Sequence, residues 1–342
     1  MRKSFILICV IFFGCEKEIT LDMPQVESKI VVEGSIEPDF PPYVILTKSQ
    51  AYFEPINGET YDNLFVKDAS VLVWTYNEDG TKDSVTLTQL PPPYDSIPIY
   101  TDSNVFYNPG TEFLGESGKT YFLEIKWENK VVTSETKIPE PTPLDCLWVE
   151  KNETANKDYK YDIRAIYSDP GNIQNQILVK SKRKEHWQRD SINGSSPKNK
   201  ADPRLILVDA GSDILVNGES FETFFPKPKD DGAGFPSGSY NAKHIKYYIN
   251  SYGIEDSVEL PNDIVLIKFC QIDEASLKFW RGVSRESTNT NNPFAEPLNL
   301  VSNINNGLGI WSGYGASYYQ VPIIKDTVIK KEYSELTIWD IF

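Results

Sequence analysis

Hydrophobic and polar residues alternate along much of this chain, most clearly in "GKTYFLEIKWENKVVTSETKIPEP", residues 118–141. Tyr121, Leu123, Ile125 and Trp127 interleave with Phe122, Glu124 and Lys126. That is the period-two pattern of a strand buried on one face. "ENK" (128–130) then turns the chain, and Val131 to Ile138 returns. Upstream, "SKIVVEGSI" (28–36), "YVILTKS" (43–49) and "ASVLVWTY" (69–76) are rich in Val, Ile, Tyr and Trp, the residues that suit strands. "NEDG" at 77–80 leads into "SVTLTQL" (84–90) and predicts a hairpin.

Short strands with turn signals about every ten residues predict an antiparallel sandwich of immunoglobulin or fibronectin type over residues 28–140. "PEPTP" (139–143) reads as a stiff linker, because closely spaced prolines break strands and favour extended chain. Residues 144–342 predict a second, less regular β-rich domain. Its candidate strands are "DCLWVE", "YKYDIRAIYS", "NQILVKSK", "RLILVDAG", "HIKYYIN" and "DIVLIKFC". A helix is expected to start near Asp273 in "DEASLKFWRGVSRE", with Leu277, Trp280 and Ser284 on one face beside Phe279 and Val283. Asp273 and Glu274 complement its positive N-terminal end, and Arg281 and Arg285 the other. The expected class is mainly β, with one or two short helices.

The first residues follow a different pattern. Phe5 to Phe13 is an apolar run of nine residues, against the roughly 20 that a membrane-spanning helix needs. Arg2 and Lys3 precede it and Gly14 closes it, which is the layout of a secretory signal peptide over residues 1–14. Phe12-Phe13-Gly14-Cys15 resembles the lipobox of bacterial lipoproteins, cut in front of a lipid-modified cysteine, although Phe12 stands where leucine is usual. The alternative is an ordinary secretory signal with an incidental cysteine. Lipidation of Cys15 would leave residues 15–27 as a tether, and two or more acyl chains anchor a protein stably where one does so only marginally.

Composition narrows the partners. The formal charge of −15 becomes about −17 once Arg2 and Lys3 leave with the signal. Such a chain is a poor match for nucleic acid or anionic head groups, which reward clustered Lys and Arg. Hydrophobic residues at 40% and aromatics at 13% are ample for a packed core. Beyond the signal and the lipid site only Cys146 and Cys270 remain. They either pair, closing a loop of about 125 residues worth at most ~5 kcal/mol, or stay as free thiols in apolar strands.

"NPFAEPLNLVSNINNGLGIWSGYG", 292–315, carries a family likeness, through Asn292-Pro293-Phe294, Glu296-Pro297, Ser302-Asn303-Ile304 and Gly307-Leu308-Gly309. With the lipobox and the 118–141 segment, the chain closely resembles a family of Bacteroidota lipoproteins catalogued as domain of unknown function 4249. "DPGNIQNQILVKSKRK" and the two cysteines depart from the family pattern. The resemblance implies an outer-membrane lipoprotein with an immunoglobulin-like first domain, from genes that commonly neighbour those of TonB-dependent receptors. It carries over no catalytic residue. Glu16-Lys17-Glu18 is similar to the acidic signal that sends such lipoproteins to the cell surface, which favours that face over the periplasmic one.

Candidate chemistry is sparse. Two histidines, His186 and His244, cannot build a multi-histidine metal site, and no zinc-binding spacing occurs. His186 lies in the basic island "KSKRKEHWQRD", and His244 in an aromatic strand. Gly307, Gly309 and Gly313 lack the βαβ context of a dinucleotide site and are expected to permit tight turns or close backbone approach. Asp209 and Asp213 in "DAGSD" are a minimal calcium pattern, equally an acidic turn. No cofactor or metal is expected. Trp311, Tyr314, Tyr318 and Tyr319 are the candidate ligand or partner contacts, because tyrosine and tryptophan join apolar area to a polar tip. The expected role is a non-enzymatic lipoprotein that captures ligand or docks for a TonB-dependent transporter. The alternatives are a structural or adhesive surface protein, and a glycan hydrolase with an unrecognised carboxylate pair.

Overall fold

Alternation in the sequence becomes alternation in space. The computed structural model describes residues 27–50, 63–90, 97–187, 198–202, 204–214, 216–228, 238–289 and 299–341. The expected signal peptide, Cys15 and all but the last residue of the tether lie outside these. The first part of the chain forms strands β1 (Ile30–Ile36), β2 (Tyr43–Lys48), β3 (Ser70–Tyr76), β4 (Lys82–Gln89), β5 (Ile99–Thr101), β6 (Thr120–Trp127) and β7 (Lys130–Lys137). A single helical turn, α1 (Asn104–Tyr107), interrupts them. In β6, Tyr121, Leu123 and Ile125 are buried while their neighbours are not, as the period-two pattern requires. The "NEDG" hairpin forms between β3 and β4, with Gly80 at φ 79°.

The second part supplies β8 (Cys146–Lys151), β9 (Lys160–Ser168), β10 (Gln176–Trp187), β11 (Lys198–Ala201), β12 (Ile206–Ser212), β13 (Ser220–Phe225) and β14 (Tyr240–Asn241). After them come β15 (His244–Ile249), β16 (Glu255–Leu260), β17 (Ile264–Ile272), helix α2 (Glu274–Asn289), β18 (Leu308–Gly313), β19 (Gly315–Pro322), β20 (Val328–Ile329) and helix α3 (Ile338–Ile341). The class is mainly β. Among the described residues no helix is long and apolar enough to cross a membrane.

The boundary expected at residues 139–144 does not separate two sheets. β18 leaves the second part and pairs in parallel with β1, Val32 opposite Gly309 and Gly34 opposite Trp311. The first sheet therefore has eight strands in the order β18-β1-β2-β5-β4-β3-β6-β7. It curls until its ends meet, where Thr133 of β7 and Asn305 exchange backbone hydrogen bonds of 3.3 and 2.8 Å. Ile30, Val32, Leu46, Val73, Leu123 and Trp311 fill the interior.

The rest of the second part is two facing sheets. One runs β11-β10-β17-β19 with β12 also on β10, and the other β13-β9-β8-β20 with β14 also on β9. Their shared core includes Leu147, Val149, Ile163, Val265, Ile267 and Phe269. The β10-β17-β19 sheet is buried on its other face too, under α2, which explains the nearly continuous apolar run of β17. α2 begins as expected: the Asp273 Oδ1 accepts the Ser276 backbone N–H at 2.7 Å, and Leu277, Phe279 and Trp280 are buried. The proline linker is clamped to this sheet, since Thr142 exchanges two hydrogen bonds with the Gln271 side chain.

Candidate functional site

The four aromatic residues expected to form a contact surface are buried, none more than 4% exposed. Trp311 lies in the core of the first sheet and its Nε1 donates to the Tyr121 carbonyl at 3.3 Å. Tyr319 lies in the core between the two later sheets, where its hydroxyl accepts the Leu144 backbone N–H at 2.7 Å. Tyr314 and Tyr318 occupy the seam between β1 and the β10-β17-β19 sheet. The contact-surface expectation is corrected for a topological reason. β18 and β19 run through the interior of two sheets, so their large side chains fill the spaces between layers.

The same seam holds charge. Lys180 of β10 lies opposite Lys268 of β17, and Lys268 opposite Tyr318 of β19. The Lys268 ammonium is 2.8 Å from the Glu37 Oε2, and the Tyr318 hydroxyl donates to the same oxygen at 2.8 Å. Lys180 instead rests 3.8 Å from the centre of the Trp280 ring. Burial, followed by the nearby Glu33 and Lys268 charges acting in opposite senses, lowers its pKa from 10.5 to about 8. Burial raises Tyr314 and Tyr318 well above the ordinary tyrosine range.

The sign of the lysine effect is testable. Between pH 8 and 10.5 the unfolded chain holds more protons at Lys180 than the folded chain, so stability from this group rises with pH. Below pH 8 the cost of the buried charge is present in full, and rising pH relieves it. Lys180→Met is expected to be more stable than wild type at pH 7 by about 1–3 kcal/mol, after allowing for the lost cation–π contact. Urea unfolding at several pH values checks this: the variant's gain should shrink steadily above pH 8.

A different surface is exposed. β15 and β16 pair with each other and form a two-stranded sheet of their own. Ile245, Tyr247 and Ile249 point to one side of β15 at 54, 66 and 61% exposure, and Tyr252 at the tip is 86% exposed. Glu259, Ser257 and Glu255 stand directly opposite them on β16. An isolated hairpin is marginal in water, and an apolar row left in solvent marks an interaction surface when it is contiguous. "HIKYYIN" was legible as a strand, but its exposure was not.

A family model described as a domain of unknown function, DUF4249, matches residues 16–320. The chain belongs to this family. No curated relative matches it, and neither does any solved structure. The DUF4249 match runs through the seam, the hairpin and most of β19.

The residues that carried the DUF4249 likeness near the C-terminus have structural work where they are described. Asn303 receives the Trp311 N–H at 3.0 Å on its Oδ1 and donates from Nδ2 to the Trp311 carbonyl at 2.7 Å, completing β18 like a short strand. Gly309 has φ 97°, and Gly313 backs against the Lys137 carbonyl, as expected for close backbone approach. Asn292-Pro293-Phe294 and Glu296-Pro297 lie outside the described residues.

The disulfide alternative is corrected: Cys146 and Cys270 are both free. Leu147 and Val149 face the shared core, so Cys146 points to the outside of its sheet, while Cys270 points the opposite way toward α2. Two sheets stand between them, and stacked sheets lie about 10 Å apart, beyond disulfide reach. Burial pushes the Cys270 thiol up to about 12, which keeps it unreactive. Alkylation of the native protein without reductant is therefore expected to label Cys146 and spare Cys270, with both labelled after unfolding. Labelling of neither in the unfolded chain would mean a bond.

His244 stacks on Tyr159 with ring centres 3.7 Å apart, and burial lowers its pKa, which is a structural setting. The side chain of His186 lies outside the described residues. Among the described residues no three His, Cys, Asp or Glu side chains gather as metal ligands, and the "DAGSD" carboxylates Asp209 and Asp213 form no such group.

Proposed function

We propose that this DUF4249 protein is a non-enzymatic, lipid-anchored outer-membrane protein that acts as a ligand-capture or docking accessory of a TonB-dependent transporter. Cys15 carries the anchor and the body faces the cell surface. The observation that carries the docking role is the free-standing hairpin with its exposed Ile245, Tyr247 and Ile249. Its apolar row is bordered by Glu255 and Glu259, so the partner surface it fits is an apolar groove with basic residues along one rim. The lipid tether supports this by confining the hairpin to the plane of the membrane, which raises its effective concentration at a membrane partner. The non-enzymatic reading is supported by the buried carboxylates. Glu37 is held by Lys268, Asp202 by Arg183, and Glu185 by Arg183 and Lys227.

The test is a mild-detergent pull-down of the tagged protein from its native membrane, beside an Ile245→Ser, Tyr247→Ser, Ile249→Ser variant. A TonB-dependent receptor recovered near one-to-one with wild type, and lost with the variant, is the expected result. Recovery of the lipoprotein alone, repeated after crosslinking in intact cells, would overturn the proposal and leave a free-standing structural or adhesive protein.

A further inference from the structure

At one end of the core between the two later sheets, the packing opens into a cavity of about 230 Å³. Tyr167 of β9, Phe221 and Phe225 of β13, and Phe269 of β17 supply aromatic walls. Val179 and Val208 line the opposite sheet, and Phe224, 46% exposed, stands at the rim. The polar end is made by Ser212 and Asp213, with Asp209 nearby in the same lining.

Asp213 is only 1% exposed. Its Oδ2 accepts the Asn175 backbone N–H. Its Oδ1, and the Ser212 Oγ, are out of reach of solvent and have no hydrogen-bond partner among the described residues. Neighbouring polar groups are not in this state. Asp169 receives the Tyr167 hydroxyl and the Asn175 amide at 3.1 Å each, and the Gly218 N–H at 2.9 Å. A buried carboxylate oxygen without a donor is costly, so the open acceptors at the polar end are the feature that needs a partner.

The lining decides which partner. It contains two carboxylates and four aromatic rings beside the aliphatic residues, and no Lys, Arg or His. We propose that this cavity binds a small organic cation: a protonated primary amine on an aromatic or branched apolar body. The ammonium has three donors, enough for the Asp213 Oδ1 and the Ser212 Oγ together. The aromatic faces favour the cation over a neutral group of the same shape. An anion of that shape meets two like charges and no compensating base. Size agrees, since an apolar cavity of about 150 Å³ holds benzene, and this one leaves room for a ring with a short arm.

The inference deepens the ligand-capture half of the proposed function and is separable from docking. The full-length chain in detergent is titrated with 2-phenylethylamine, 2-phenylethanol and 3-phenylpropionate, three bodies of similar shape, with binding read by ligand-observed NMR. The amine is expected to bind at least about tenfold more tightly than the alcohol or the carboxylate. Asp213→Asn should remove that margin, and Thr223→Phe, which fills the cavity from β13, should abolish binding of all three while unfolding remains cooperative. Absence of amine binding at millimolar concentration would overturn the proposal. So would equal binding of the carboxylate, or amine binding unchanged in Thr223→Phe. Amine binding without receptor recovery in the pull-down would keep this site and remove the transporter; receptor recovery without amine binding would do the reverse.

Discussion

Gly309→Ala is expected to destabilise the protein by about 4 kcal/mol or more, near the top of the range for single substitutions. Two effects add. The residue has φ 97°, where an alanine is strained whatever the space. A Cβ there would also stand 1.9 Å from the Val32 carbonyl oxygen. That oxygen belongs to β1, which is held by β2 on one side and β18 on the other, so it cannot step back without breaking a ladder. Gly80→Ala is the control. Gly80 is also left-handed, at φ 79°, but nothing lies within 4 Å of a Cβ placed on it, and only the backbone strain of about 1–2 kcal/mol remains. Denaturant unfolding of the two variants measures the difference. Similar losses in both would show that β18 is not wedged against β1.

Lys268→Met is expected to cost about 3–5 kcal/mol, because it leaves the Glu37 charge buried without its cation. Glu37→Leu alone should cost a similar amount for the mirrored reason. The double variant should recover much of the loss, since a buried pair replaced by apolar side chains is often near neutral. Recovery will be incomplete, because the Tyr318 hydroxyl also donates to Glu37 and would then lack an acceptor. The three unfolding free energies close a double-mutant cycle. Additive losses would mean that the two residues stabilise their own sheets separately and do not join them across the seam.

Local chemistry made much of this fold legible. Tyr121, Leu123 and Ile125 lie inward because a one-sided strand has period two, and α2 starts where Asp273 can cap it. The parallel pairing of β18 with β1 was hidden. It joins residues some 275 positions apart, and nothing in "GLGIWSG" distinguishes a strand that returns to the first sheet from one that remains in the second. That single hidden pairing explains why Trp311 and Tyr314 looked available for contact and are buried. Lys180 and Lys268 misled in the same way: a lysine in a strand normally marks a wet face, and here both stems cross a layer to reach aromatic rings or Glu37. Exposure of the β15–β16 hairpin could not be read either, since Ile245, Tyr247 and Ile249 alternate as a buried face would. The open acceptors at Asp213 depend on which atoms surround it, which spacing does not encode.

Docking through the hairpin is tested most directly by placing a photo-crosslinking amino acid at Tyr247 in intact cells, with Tyr76 as the comparison site. Both positions are exposed, at 66 and 52%, but Tyr76 belongs to the first sheet. Docking predicts one discrete high-mass adduct from Tyr247, identified by mass spectrometry as an outer-membrane receptor, and none from Tyr76. Equal, diffuse adducts from both sites, or none from Tyr247, would contradict it.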